Sequence, residues 1–425
     1  MTTLAPDVLV IGGGMAGTVA AIAAARAGAA TVIVERFGFL GGAATAAAVG
    51  QFVGWETAAG RRVVGGIAEE IVARLAAIGG SDGHSHFTMS TGHRMDRVQY
   101  DPELLKPVLD ALVTEAGARP LFHANLLGAE REGGRIAAVH LLTKAGPWAL
   151  RPRCVIDASG DLDLLAAAGA RFLPLGAGET AQPATAMFRF GPIDLAAFGA
   201  IAGAELAALA QQGVAEGRLA RAALHASRIA GTRDAWFNIS RVAFDATDPI
   251  ALSDAEIEGR RQALAAASFL RDRVPGCDEG RLVALAPAIG VRESRRIAGR
   301  HLLTEDELRA GTAFADRIAW GAYPIDIHPA QGAGLDFVEF GADHAYAIPF
   351  ASLVPEGLDN VLVAGRGISA THRAHAATRV MPTVMAIGQA AGTAAALALQ
   401  ANAALAATDT ARLQARLRDD GAILP

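Results

Sequence analysis

The sequence is poor in cysteine and aromatic side chains, and it has no block of charge of one sign. Its two cysteines, Cys154 and Cys277, form no Cys-x-x-Cys pair. Their isolation argues against a disulfide framework, a zinc site and a dithiol redox centre, and it suits a reducing cytoplasm. No metal is expected. With 38 Lys+Arg against 43 Asp+Glu and a formal net charge of -5, nothing marks a nucleic-acid surface, and small molecules are the expected partners. The opening "MTTLAPDVLV" has neither the basic start nor the small-residue cleavage site of a secretory signal, so it reads as mature protein. Between Arg379 and Asp409 the chain carries no charge, but Pro382, Gln389, Gln400, Asn402 and many alanines dilute its hydrophobicity. A buried helix is expected there, not a membrane span. Solenoid repeats and low-complexity linkers are also lacking, and the alanine-rich tail from Asn402 reads as a surface helix.

What is present is enough chain for two domains, or for one large α/β domain with an insert: 425 residues. The stretch "DVLVIGGGMAGTVAAIAAARAGAATVIVE", Asp7 to Glu35, starts with the short apolar run of a buried parallel strand. Gly12-x-Gly14-x-x-Gly17 follows. The first glycine permits a tight turn, the second lets backbone approach a pyrophosphate, and the third lets a helix pack on its strand. That helix, from about Met15 to Ala27 and including Ala16, points its positive end at the phosphates. A second strand ends in Glu35, followed by Arg36, at the spacing where a carboxylate takes up ribose hydroxyls. Dinucleotide binding is the expectation.

NAD or FAD is decided further along. Gly41 and Gly42 in "ERFGFLGGAAT", which also holds Thr45, let a loop pass close to a phosphate–ribityl chain, although a glycine pair also serves an ordinary loop. Near the other end, "NVLVAGRGIS" is a buried strand ending in Gly365. "RVMPTVMAIGQAAGTAAALAL" follows as a helix with Pro382 in its first turn. A ligand touching both chain ends suggests an extended FAD. No second fingerprint is found, since Gln182-Pro183 blocks a helix after "GAGETAQP".

These segments, with "VIDASGDLDLLAAAGA", "QPATAMFRF", "IGVRESRRIAGRHLLT" and "GAYPIDIHP", resemble the FAD-dependent oxidoreductase family of glutathione-reductase-like flavoproteins, in particular the bacterial branch often labelled simply FAD-dependent oxidoreductase. The resemblance covers most of the chain. It implies an α/β fold: a Rossmann-like FAD-binding domain formed by residues 1–181 and 346–425, with an α+β substrate domain, 182–345, inserted. "RPLFHANLLGAEREGGRIAAVHLLTKAGPWALRPRCVIDASGD" agrees, reading as a β-meander leading to a core strand. The resemblance puts Leu126 where backbone lies against adenine, though a core leucine reads equally well. It also has the loop holding Ala158, Gly160 and Asp161 close over the FAD. Asp161 and Asp163 read better as caps of "LDLLAAAGA" than as a metal pair. In the wider superfamily the C-terminal strand ends in Gly-Asp, whose carboxylate binds ribityl hydroxyls; here Arg366 stands at that position, and a guanidinium could bond a phosphate or flavin carbonyl instead.

A flavin accepting hydride at N5 needs a donor C–H placed there, a proton removed from the donor, and charge on the reduced ring stabilised. The helix beginning at Met381-Pro382 would aim its N-terminus at the ring. His372 and His375 precede it, three apart, and are the first candidates for the base, with a supporting role as the alternative. His328, with Asp326 two residues earlier, is the second. Arg292, Arg295, Arg296 and Arg300 form the third group: Arg295 with its neighbours could grip a substrate carboxylate, or the charges could guard a strand edge. The expected function is an FAD-dependent dehydrogenase or oxidase of a small polar substrate, reoxidised by oxygen or an external acceptor, with no membrane partner and an oligomeric state left open. The alternatives are an inactive flavoprotein-fold escort and an NAD-dependent dehydrogenase.

Overall fold

The structure, a computed structural model, describes residues 4–88, 92–329 and 336–424. A five-stranded parallel sheet forms its frame. Val8–Ile11 lies at the centre, paired in register with Cys154–Asp157 on one side and Thr31–Val34 on the other. Val361–Val363 and Arg119–Leu121 form the edges. The four innermost-to-edge runs of Val, Ile and Leu are fully buried, as a sheet covered on both faces requires. This is the Rossmann-like arrangement expected, and the C-terminal strand completes the sheet begun by the N-terminal one.

Two helices, Met15–Arg26 and Met381–Gln400, cross the sheet side by side. Their contact is very close. A Cβ at Gly388 would strike the Ala16 carbonyl and one at Gly392 the Ala20 carbonyl, so glycine lets the two backbones touch. The 381–400 helix is long and apolar enough to cross a membrane, but 89% of its apolar window is buried inside the protein.

The meander forms as expected from Asn125–Glu132, Arg135–Thr143 and Gly146–Leu150. A second three-stranded antiparallel sheet holds Gln51–Val53, Arg94–Tyr100 and Ser81–Thr88. The inserted unit has a four-stranded antiparallel sheet with its own core of Phe188, Phe190, Phe237, Phe269 and Leu270, packed by the helix Pro249–Arg273. That helix starts at Pro249 because Asp248 caps it and Pro249 fits its first turn.

The second and third cores draw only on residues 184–289, whereas Ile297, Leu303, Leu308, Ile318 and Ile325 belong to the main core. Core membership thus changes near residue 290, within the span 182–345 expected for the substrate domain. Two expectations need correction. "RRIAGRHLL", whose arginines could have guarded a strand edge, forms no strand: it makes isolated bridges to Phe172, Pro355 and Ala370. The tail helix, Thr410–Asp419, is more than surface, since Leu413 and Leu417 are wholly buried.

Candidate active site

The site begins at the glycine turn. Gly12 holds φ +97°, and a Cβ there would sit 2.5 Å from the Ala158 carbonyl, so only glycine fits. Gly17 is pressed against the Gly12 carbonyl. At Gly14 the situation reverses: a Cβ would meet no protein atom within 4 Å, although the residue starts a buried helix. Space is kept open there, facing the first-turn amides that no intrahelical carbonyl can satisfy. Glu35 stabilises the turn from the second strand, accepting from Gly13 N at 2.7 Å and Phe37 N at 2.9 Å. The Gly41 amide donates to Gly13 O at 2.7 Å. Thr45 braces that loop, donating to Leu40 O at 2.6 Å.

Two adjoining cavities run from this turn. Gly12, Gly14, Glu35, Arg36, Gly42, Ala158, Gly160, Asp161 and Arg366 line the one beside the second strand. The other begins at Gly14, Met15, Ala16, Gly41, Gly365, Arg366 and Met381 and continues toward the inserted unit. Sharing Gly14, Ala158, Gly160, Gly290 and Arg366, they make one elongated groove. Of the residues expected at the cofactor, Gly17, Thr45, Leu126 and Pro382 lie outside its lining. Gly17, Thr45 and Pro382 shape elements that line it; Leu126 is part of the meander, paired with Leu141.

The loop after Cys154–Asp157 departs from the expected capping. Asp161 does not cap the short helix Asp163–Ala167. The amides of Asp163 and Leu165 go instead to Ser159 Oγ at 2.9 Å and Asp157 Oδ2 at 3.0 Å. Asp161 is thereby freed to pair with Arg366 and to accept from Ser294 Oγ at 2.6 Å. So although position 366 lacks the acid usual in the superfamily, an acid does stand on this wall, brought from the 158–161 loop.

At its far end the groove opens into a polar chamber lined by Asn238, Arg292, Tyr323, Asp326, His328 and Arg379. Strand Ile325–Ile327 carries Asp326, which accepts from Tyr323 Oη at 2.9 Å and lies 3.4 Å from His328 Nε2 and 3.7 Å from Arg379. Burial pushes the His328 imidazole down to about 4, helped by the charges of Arg292 and Arg379 against the opposing pull of Asp326. It is neutral at pH 7. Burial alone would raise Asp326, but its contacts with His328, Arg379 and Tyr323 outweigh that and hold it well below the usual carboxylate range.

The other two candidate groups are placed elsewhere. His372 and His375 belong to the short helix His372–Thr378 and line neither cavity. Both turn to the buried Glu293, His372 Nδ1 at 2.8 Å and His375 Nδ1 at 3.9 Å. Burial pushes His375 down to about 3. Of the three histidines, His328 lines the groove and the other two do not. Arg295 points back, donating to Asp161 O at 2.9 Å and meeting Asp163 at 3.2 Å. Arg296 donates to Ala370 O at 2.8 Å and Arg300 to Ala406 O at 3.0 Å. Arg292 alone of the four lines the chamber.

Sequence reasoning passed over Tyr323, Arg379, Asn238 and Gln182, whose amide oxygen accepts from His328 N and Arg379 at 3.3 Å each. Tyr323 stood inside the quoted "GAYPIDIHP" and Arg379 beside Met381; their nearness to the glycine groove was the available signal. A group capable of holding metal, Glu56, His86 and Asp96, has ligand atoms within 4.8 Å of one another. It lines neither cavity, and Arg94 and Arg62 already meet its carboxylates at 3.3 and 3.4 Å.

A parallel sheet with a glycine turn, an acid ending the second strand and a groove reaching the C-terminal helix defines a dinucleotide-binding flavoprotein. The FAD dependent oxidoreductase family matches over residues 7–417, and the chain belongs to that family. It is an enzyme, and FAD is its cofactor. No curated protein matches it. Among solved structures, a geranylgeranyl bacteriochlorophyll reductase-like protein from Thermoplasma acidophilum is 14% identical with a TM-score of 0.50, over 98% of this chain and 84% of that one. The p-nitrophenol 4-monooxygenase PnpA from Pseudomonas putida is 13% identical with a TM-score of 0.46, over 95% and 82%. The residues present fit FAD. The open space at Gly14 and the helix amides behind it suit the diphosphate, Glu35 and Arg36 the adenosine side, and Gly365, Arg366 and Met381 the flavin side.

Proposed function

We propose that this flavoenzyme is a dehydrogenase or oxidase that takes a hydride from a small polar organic substrate and passes the electrons to oxygen or an external acceptor. The observation carrying the reading is the continuity of the groove: the wall holding Gly365 and Met381 runs without interruption into the chamber of His328, Asp326 and Tyr323. FAD, when bound, supplies the hydride acceptor at N5.

The chain's own part is proton removal and positioning. Neutral His328 takes the proton from the substrate's O–H or N–H as the neighbouring C–H is lost. Asp326 orients the imidazole and offsets the positive charge it acquires, while Tyr323 Oη fixes Asp326. Arg379 is anchored through Gln182 and the Asp326 carbonyl, which sets one wall of the chamber. Anaerobic mixing of the purified yellow holoenzyme with polyols, hydroxy acids and amines tests the reading. Bleaching of the flavin by at least one class is expected; a panel that leaves the spectrum oxidised throughout would sink it.

A further inference from the structure

The chamber holds more positive than negative charge. Arg292 and Arg379 line it, and Asp326 is the one carboxylate among the described residues that does. Arg379 lies 3.7 Å from Asp326, and its other acceptors are neutral: Gln182 Oε1 at 3.3 Å and the Asp326 carbonyl at 3.2 Å. Its Nε has no hydrogen-bond partner among the described residues. Among the described residues the acceptors of Arg292 are neutral, Pro183 O at 2.5 Å and Asn238 Oδ1 at 3.5 Å. The charge of Arg221, 9% exposed, also acts on Arg292. Two sheltered guanidinium groups that share a single carboxylate are under-compensated and costly to fold around. A site that keeps them is built for an anion that arrives as ligand.

We propose that the substrate is an organic acid whose carboxylate docks between Arg292 and Arg379, on the same wall as His328. The proposal rests on the oxidoreductase reading of this chamber. A guanidinium fork fits carboxylate and phosphate alike, but the ionised Asp326 beside Arg379 disfavours a dianion more than a monoanion, which selects carboxylate. Such an anion also offsets the two cations that, with burial, push His328 down to about 4. The imidazole therefore becomes a stronger base once substrate is in place.

The test is ligand binding to the holoenzyme, read by calorimetry and by perturbation of the bound flavin's visible spectrum. Acetate and propionate are the probes, acetamide the neutral control, and inorganic phosphate the competing anion. Saturable binding of a carboxylate and none of acetamide is expected. Arg292→Gln and Arg379→Gln should each weaken it at least tenfold while FAD content is kept, and Arg292→Lys should recover part of the loss. If Arg292→Gln fails to fold, Arg379→Gln and the acetate-against-acetamide comparison decide. Equal binding of acetamide, carboxylate binding at parental strength in the folded arginine variants, or phosphate binding tighter than every carboxylate overturns the proposal. Carboxylate binding without flavin reduction by any organic acid supports this inference and removes the proposed oxidation. Reduction by neutral alcohols or amines with no carboxylate binding does the reverse.

Discussion

At the scale of single residues, the glycine motif separates two jobs that its spelling merges. Gly12 is required by the fold, because its φ is positive and Ala158 leaves no space for a Cβ; Gly14 faces open space. Gly12→Val should therefore yield little soluble protein, whereas Gly14→Val should fold, keep its far-ultraviolet circular dichroism and purify without FAD. A yellow Gly14→Val protein with full FAD would show that the groove does not run past that turn. His328 offers a second prediction. His328→Asn should keep FAD yet slow flavin reduction by roughly 10²–10⁴-fold, the range a positioned acid–base group supplies; reduction at the parent rate would move the base elsewhere. This motif was legible because its demands are local, with turn, amides and packing set within a few residues. The choice among histidines was not. His372 and His375 sit beside the FAD helix in sequence, but Glu293, 79 positions before His372, turns them away, and no short window of sequence contains that partner.

At the scale of elements, the two alanine-rich helices illustrate what a pattern says and what it omits. Alanine, glycine and the absence of charge announced a buried helix at 381–400. They did not announce that its partner would be the helix of the opening motif, with Gly388 and Gly392 against the Ala16 and Ala20 carbonyls. Helix propensity alone favours Ala over Gly by ~1 kcal/mol. Here a side chain would have to separate two backbones, and overpacking of this kind costs about 1–3 kcal/mol or more. Gly392→Val should thus lower the melting temperature and, by pushing the first helix off its strand, weaken FAD binding in the same variant. A rise in melting temperature, as propensity alone gives, would mean that the helices are not in contact there. The segment "RRIAGRHLL" shows the opposite failure: its arginines could have guarded a strand edge, but the segment makes only isolated bridges among the described residues, and Arg296 turns inward to the Ala370 carbonyl.

At the scale of the whole molecule, buried histidines couple the fold to pH. Burial holds His328 and His375 at about 4 and about 3, below the ordinary 6.5. As pH falls below 6.5 the unfolded chain takes up protons that the folded chain refuses, so their stability is complete above 6.5 and is lost toward pH 4. Asp157 works in the opposite sense: burial raises it to about 6 from 3.8, so the folded state binds its proton first. The buried histidines outweigh the opposing aspartate, so acid unfolding takes up protons on balance and stability declines from pH 6 toward 4. On the alkaline side His84 dominates. Burial would lower it, but contacts with Asp96 and Glu69 outweigh that and raise it to about 9. Its contribution is complete below 6.5 and disappears as pH rises through 9. Stability should accordingly peak near pH 6.5 and fall on both flanks, as measured by urea unfolding of the holoenzyme from pH 4.5 to 9.5. His375→Asn should flatten the acid flank and His84→Gln the alkaline flank, each leaving the other unchanged. An acid flank that keeps its full slope without His375 would mean that this imidazole is protonated in the fold, paired with Glu293 as an ion and not held neutral beside it.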